Sequence, residues 1–281
     1  MFKFIDEILK NFKSCFSRNA SFHWFVVIIV GLIIRSDTLG LTSIIRDLSI
    51  SSKHYETMLH FFRATSWSLE TLSNAWFRTV KKFAPIHYEN DAAILIGDGV
   101  KQSKEGRYMP GVKKLHQESE NSSKAEYIFG HMFGGVGILI GNINKWFCLP
   151  LLINLQDGVS TIFNWQDSPE RQESHVVQMV KNAFKITKVI GKSILLLDRY
   201  FLSVPALEML NKSNVANVTI MQIVTKAKKS CVAYENAPVK KPGRGRPPKK
   251  GKSIKMKTLF DSKKNLFKEA TVLMYGKETT V

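Results

Sequence analysis

Two apolar runs in this sequence each close on an aspartate, AAILIGDG at Asp98 and SILLLDRYF at Asp198. A short apolar run bounded this way reads as a strand buried on both faces, and a carboxylate at its end stands at the rim of a sheet that ligands can reach. Two such rims suggest one shared metal site. Taken singly, each acid has a plainer reading. Asp98-Gly99 is a leading signal for a tight hairpin turn, and an aspartate after a strand often caps the next turn or helix.

The residues before and between these runs set the fold class. Up to residue 85 the apolar positions recur at helical spacing: Ile5, Ile8, Leu9, Phe12 and Phe16, then Leu69, Leu72, Trp76 and Phe83. Leu39 to Leu48 and Lys53 to Arg63 form two short amphipathic segments joined by serines, compatible with a helix-turn-helix whose second helix offers Lys53, His54 and Arg63 to DNA. Simple bundle packing is the plainer reading of them.

After Pro85 the pattern becomes strand-like: AAILIGDG, then YIFGHMFGGVGILIG as one or two strands, WFCLPLLINL, ILLLDRYF and VTIMQIVT. A helix with Ser168 as N-cap, Pro169 and Glu170 in its first turn, Val176, Val180, Ala183 and Phe184 on one face and Gly191 as terminator precedes Asp198. A second, shorter helix follows Ser203. Strands in succession, then helix, strand, helix, strand, is the order of a ribonuclease H-like α/β core. The expected organisation is a helical DNA-binding or assembly domain over 1–85, a mixed-sheet core over 86–232 and a basic linker with the start of a further strand region over 233–281.

Charge points to the partner. The formal charge of +18 and the isoelectric point near 9.8 imply a polyanion, most simply nucleic acid. Sixteen basic and four acidic side chains fall after Thr225, so the last fifth carries most of the excess. Within it KKPGRGRPPKKGKSIKMK is too rich in proline, glycine and like charge to bury a core and reads as a linker or tail. Arg244 and Arg246 sit in an Arg-Gly-Arg-Pro sequence suited to a narrow A·T minor groove, and Lys249 and Lys250 to phosphates. A second basic stretch comes after Asp98 and holds Lys101, Lys104, Arg107, Lys113 and Lys114, read either as phosphate contacts or as a solvated, flexible insertion.

Other chemistries lack a signature. Cys15, Cys148 and Cys231 are scattered, so neither a disulfide framework nor a zinc ribbon is indicated, and a reducing cytosol is the default. Gly135, Gly137 and Gly141 miss dinucleotide-binding spacing, and no phosphate-loop lysine motif occurs. His131 reads as a packed strand histidine. The run from Phe22 to Ile34 is shorter than the ~20 residues a membrane span needs, so it reads as a buried helix and no membrane is expected.

HFFRATSWSLETL, LIGDGVKQSKEGRYMPGVKKLHQES, KAEYIFGHMFGG, ILLLDRYFLS and GRGRPPKKG with KMKTLF, in that order, carry a resemblance. The sequence resembles a DDE-type transposase of bacterial insertion sequences, over most of its length. The resemblance implies a ribonuclease H-like nuclease, Asp98 and Asp198 as the first two acids of a triad binding Mg²⁺ or Mn²⁺, N-terminal helices that bind element ends or mediate assembly, double-stranded DNA with transposon ends as partner, a possible homodimer and a bacterial, nucleoid-associated location. The third acid of such enzymes is a glutamate on a later helix, and Glu208, Glu235, Glu269 and Glu278 do not match its setting. The expectation is therefore a chain cut off before that helix, which binds DNA but is catalytically incomplete. The alternative is a noncatalytic basic DNA-binding protein with structural aspartates.

Overall fold

The computed structural model describes residues 2–37, 40–106, 109, 111–117, 125–142, 144–156, 174–228, 230–238, 248–266, 268–274 and 276–280. The chain forms two compact units, residues 1–224 and 225–281.

The first unit opens with five helices: α1 Phe2–Lys10, α2 Asn19–Ile34, α3 Leu41–Asp47, α4 Tyr55–Phe61 and α5 Leu69–Phe83. Apolar residues at helical spacing on α1 and the turn after it meet α2, so that Leu9, Phe12, Phe16, Phe25, Ile28, Ile44, Met58, Phe61 and Ala75 close into one core. Phe16 and Phe25 lie 5.1 Å apart by ring centroid, and Phe61 stacks on Trp67 at 5.2 Å. The apolar run expected to be a buried helix is α2, whose 16 residues span about 24 Å at 1.5 Å per residue. Among the described residues no helix is long and apolar enough to cross a membrane.

Helix α5 joins this core to the next. Ser68 caps it, its hydroxyl accepting from the Thr71 N–H at 3.1 Å. Ala75 packs into the helical core while Phe77 and Val80 enter the core of the sheet, and the Trp76 indole donates to the Pro150 carbonyl at 3.1 Å. Leu69, read from the sequence as part of the apolar face, is 65% exposed because it stands at the first turn, outside the contact.

The sheet is built from β1 Tyr88–Glu89, β2 Ala92–Ser103, β3 Lys113–His116, β4 Tyr127–Asn142, β5 Lys145–Gln156, β6 Ser193–Leu197 and β7 Met221–Thr225. Its order is β3-β4-β2-β6-β7, with β1 added to β2 and β5 to β4. Along the far edge of β4, β3 takes residues 127–130 and β5 takes 132–142. The glycine-rich run after residue 126 is therefore one long strand, antiparallel to both β2 and β5. Strands β2 and β6 are parallel. Three antiparallel strands followed by strands reached through helices give the mixed α/β sheet of a ribonuclease H-like core.

Helix α6, His175–Ile190, covers one face. Its buried Val176, Met179, Val180, Ala183, Phe184 and Ile186 pack with Leu95, Leu195, Val136 and Ile138. Full burial of side chains of this kind is worth roughly 1.5–3 kcal/mol each before entropy is counted. Gly191 ends α6 at φ 119°, as expected of the terminator, while the residues expected to cap it (Ser168, Pro169, Glu170) lie outside the described residues. Helix α7, Val204–Val215, starts at the expected Ser203, whose hydroxyl accepts from the Ala206 N–H.

The second unit holds two small ladders, β8 Val232–Tyr234 with β9 Ser253–Lys255 and β10 Thr271–Met274 with β11 Lys277–Thr280, and a one-turn helix α8, Leu259–Ser262. Two expectations change here. The segment read as linker throughout enters a ladder at Ser253–Lys255, and the closing strand is a hairpin.

Candidate active site

Strands β2 and β6 pair as Ala93 with Ser193, Ile94 with Ile194, Leu95 with Leu195, Ile96 with Leu196 and Gly97 with Leu197. The next residue on each is an aspartate. Neighbouring strands lie about 4.8 Å apart, so the in-register run delivers Asp98 and Asp198 side by side. Alternation puts both on the face of Ile96 and Leu196, opposite the face that α6 covers. That assignment agrees with Gly97, where an added Cβ would meet Leu197 and Met179 on the α6 side. Both acids are exposed.

The turn reading of Asp98-Gly99 fails. β2 runs on to Ser103, and Gly99 pairs with Gly134 of β4, so Asp98 lies inside a strand at the point where β2 outruns β6. The Gly99 N–H donates to Asp98 Oδ1 at 2.7 Å. Across the ladder Asp98 faces Gly135, where among the described residues an added Cβ would meet only the Asp98 carbonyl, at 3.8 Å, within 4 Å. The capping reading of Asp198 holds: the Tyr200 N–H donates to its Oδ1 at 2.9 Å and opens a short 3₁₀ turn, Arg199–Phe201. Capping by one oxygen is compatible with a ligand role.

The other expected residues are spread along the same sheet and beyond. Lys101 lies on β2 three residues past Asp98, and its ammonium donates to the His116 carbonyl at 2.7 Å. Lys104 comes directly after the strand, while Lys113 and Lys114 are on β3, with the Lys114 ammonium 4.3 Å above the Tyr127 ring. Among the described residues the basic stretch is strand at its two ends, up to Ser103 and from Lys113 to His116, which corrects the reading of a flexible insertion there. Lys249 and Lys250 are exposed in the second unit. Arg107, Arg244 and Arg246 lie outside the described residues. His131 is buried against Phe133, as a packed histidine should be.

Residues 11–276 match the family model of the DDE superfamily endonucleases. The chain belongs to this family. Among solved structures, the piggyBac transposase synaptic complex with hairpin DNA is similar at 12% identity, covering 80% of this chain and 51% of that one, with a TM-score of 0.34. The Mos1 transposase paired-end complex with left transposon end is similar at 10% identity, covering 68% and 55%, with a TM-score of 0.20. The chain spans about half the length of these two transposases. No curated relative matches the sequence.

The acid pair has aromatic neighbours. Tyr200 stacks on His175 at the start of α6, with centroids 5.1 Å apart and an angle of 18°, and both touch Phe201. The contact ties the turn after Asp198 to α6, and the aromatic pair just past the acid in DRYF was its signal. For a hard divalent ion, two exposed carboxylates on adjacent strands are a suitable oxygen donor set. Among the described residues no group of three or more histidine, cysteine, aspartate or glutamate side chains assembles as a ligand cluster. Glu208 is on α7, and Glu235, Glu269 and Glu278 belong to the second unit.

Proposed function

We propose that this DDE endonuclease is a transposase chain that binds double-stranded DNA at transposon ends, with Asp98 and Asp198 as two ligands of a catalytic Mg²⁺ or Mn²⁺. The observation that carries this is the register of β2 and β6, which brings both acids to one edge and one face. A bound divalent pair would activate a water or a 3′-hydroxyl and stabilise the leaving oxygen in phosphodiester cleavage. The protein's own part is to hold the two carboxylates in place through backbone N–H donation, and to leave the Gly135 flank open for a phosphodiester to approach.

With two acids brought together among the described residues, the chain is expected to hold DNA more readily than it cuts it. Calorimetric titration with Mn²⁺ tests the site. Asp98→Asn and Asp198→Asn should each weaken binding at least tenfold at unchanged melting temperature. Cleavage of element-end DNA with Mg²⁺ at a rate untouched by Asp98→Ala would remove the assignment. The capping bond of Asp198 supports a second reading, a noncatalytic DNA-binding protein with structural aspartates. That reading expects Asp198→Asn, which keeps a capping oxygen, to leave Mn²⁺ affinity as it was.

A further inference from the structure

Away from the acid pair, the helical core carries a cleft of about 480 Å³ between the start of α2 and the turn after α4. Its size is within the range of ordinary ligand pockets, roughly 300–1,000 Å³. Arg18 enters from one side, Arg63 and His60 from the other, and Trp24 forms part of the wall. Among the described residues neither arginine has an ion-pair partner. A nearby carboxylate, Glu56, lines the adjoining depression with His60 and Arg63.

The two walls are stitched together before any ligand arrives. The Ser17 N–H donates to the Ser66 carbonyl at 3.0 Å, and the Ser66 hydroxyl donates to that of Ser21 at 2.7 Å. The main chain at Arg63 is fixed by its backbone N–H, which donates to the His60 carbonyl at 3.0 Å. Such fixing lowers the ordering cost of a bound group. Arg18 is also the N-cap of α2 and offers no side-chain acceptor, so the N–H groups of Ala20 and Ser21 in the first turn lack a protein partner among the described residues. Two unpaired guanidiniums set beside an aromatic wall suit a phosphate with its attached sugar and base.

We infer that this cleft seats one backbone phosphate of a DNA strand, clamped by Arg18 and Arg63, with the adjoining sugar and base against Trp24. The inference rests on the DNA-binding reading above and adds a contact point outside the acid pair, the strand-borne lysines and the basic tail. Of the residues that the helix-turn-helix reading offers to DNA, it takes Arg63, which follows α4. That helix has seven residues and buries Met58 and Phe61, while His54 packs against Trp24 at 5.3 Å.

The test uses the full chain and a fluorescent 30-base-pair duplex of arbitrary sequence, with anisotropy measured from 50 to 200 mM KCl. Each phosphate contact contributes about 0.9 to the slope of log affinity against log salt. Arg18→Gln with Arg63→Gln should lower the slope by about 0.9 and weaken binding about tenfold at 100 mM. Arg18→Lys with Arg63→Lys should restore most of both, and all variants should melt like the parent because both side chains are exposed. A glutamine pair that keeps the parent slope and affinity, while Lys249→Gln flattens the slope, overturns the cleft and leaves DNA binding standing. A parent chain that binds no duplex at 50 mM KCl removes the DNA reading itself. The cleft is then judged by inorganic pyrophosphate: a saturable fluorescence change lost in Trp24→Phe and in the glutamine pair upholds an anion site, and its absence overturns it.

Discussion

Each acid of the pair depends on the residue just before it. A Cβ on Gly97 would lie 2.6 Å from Leu197 Cδ2 and 3.1 Å from Met179 Sδ, so Gly97→Ala must push aside the residue that leads into Asp198. Overpacking of this kind costs about 1–3 kcal/mol. We expect Gly97→Ala to lower the melting temperature by several degrees and to weaken Mn²⁺ binding along with it. Gly135→Ala is the contrast, because among the described residues nothing stands closer to its added Cβ than the Asp98 carbonyl at 3.8 Å. It should leave stability within about 0.5 kcal/mol while reducing any DNA cleavage, since the methyl narrows this flank; thermal melts beside a nicking assay separate the two effects. The acids were legible in the sequence because a buried run has to stop somewhere and a charged residue marks the stop. The turn suggested by Asp98-Gly99 was wrong for a reason local sequence does not carry: β4 pairs with Gly99 from more than thirty residues away and keeps the strand extended.

Helices and strands were legible where periodicity ran long. The apolar faces of α1, α5 and α6 and the runs of β2, β5 and β6 lie close to where spacing put them, whereas contacts between elements left no trace in either partner. The corner joining α2 to α3 is one of these. Asp47 accepts from Arg46 Nε at 2.8 Å and, eleven residues back, from the Ser36 N–H at 2.8 Å and hydroxyl at 3.1 Å. The Arg46 guanidinium first, and the Ser36 N–H after it, hold the Asp47 carboxyl down to about 2. An unfolded aspartate titrates near 4, so the folded form binds its proton less readily. The stability from this network is therefore complete above pH ~4 and lost as pH falls towards 2. Melting the parent and Asp47→Asn from pH 5 to pH 2 checks the sign: the gap between them should be widest at pH 5 and close towards pH 2. A gap that stays constant would mean the corner is held by packing, for which Gly31 against Ile44 is the nearest contact.

The charge of the chain and its division into units bear on how DNA is held. Composition alone located most of the basic excess after Thr225, and the second unit is where Lys249 and Lys250 are found. Composition did not foresee that this region ties itself together. The Glu235 N–H donates to the Lys252 carbonyl at 3.0 Å, the Gly251 N–H donates to the Glu235 carbonyl at 2.9 Å, and β8 pairs with β9. Proline and glycine density argued for a free tail, but the alternation around Ile254 was short enough to be lost beside it. The ladder gives the two lysines different duties. The Lys250 ammonium sits 4.3 Å above the Tyr234 ring, an exposed cation–π contact of about 0.5–1 kcal/mol. Among the described residues Lys249 has no comparable contact, so we expect it to be the better phosphate ligand. Lys249→Gln should therefore flatten the salt slope of duplex binding by about 0.9 without changing the melt. Lys250→Gln should chiefly loosen the β8–β9 ladder, raising amide exchange at Val232 to Tyr234 and moving the slope less. Equal slopes for both variants, with no change in exchange, would mean that the ladder does not sort the two charges and that the region acts as the unstructured polycation its composition suggests.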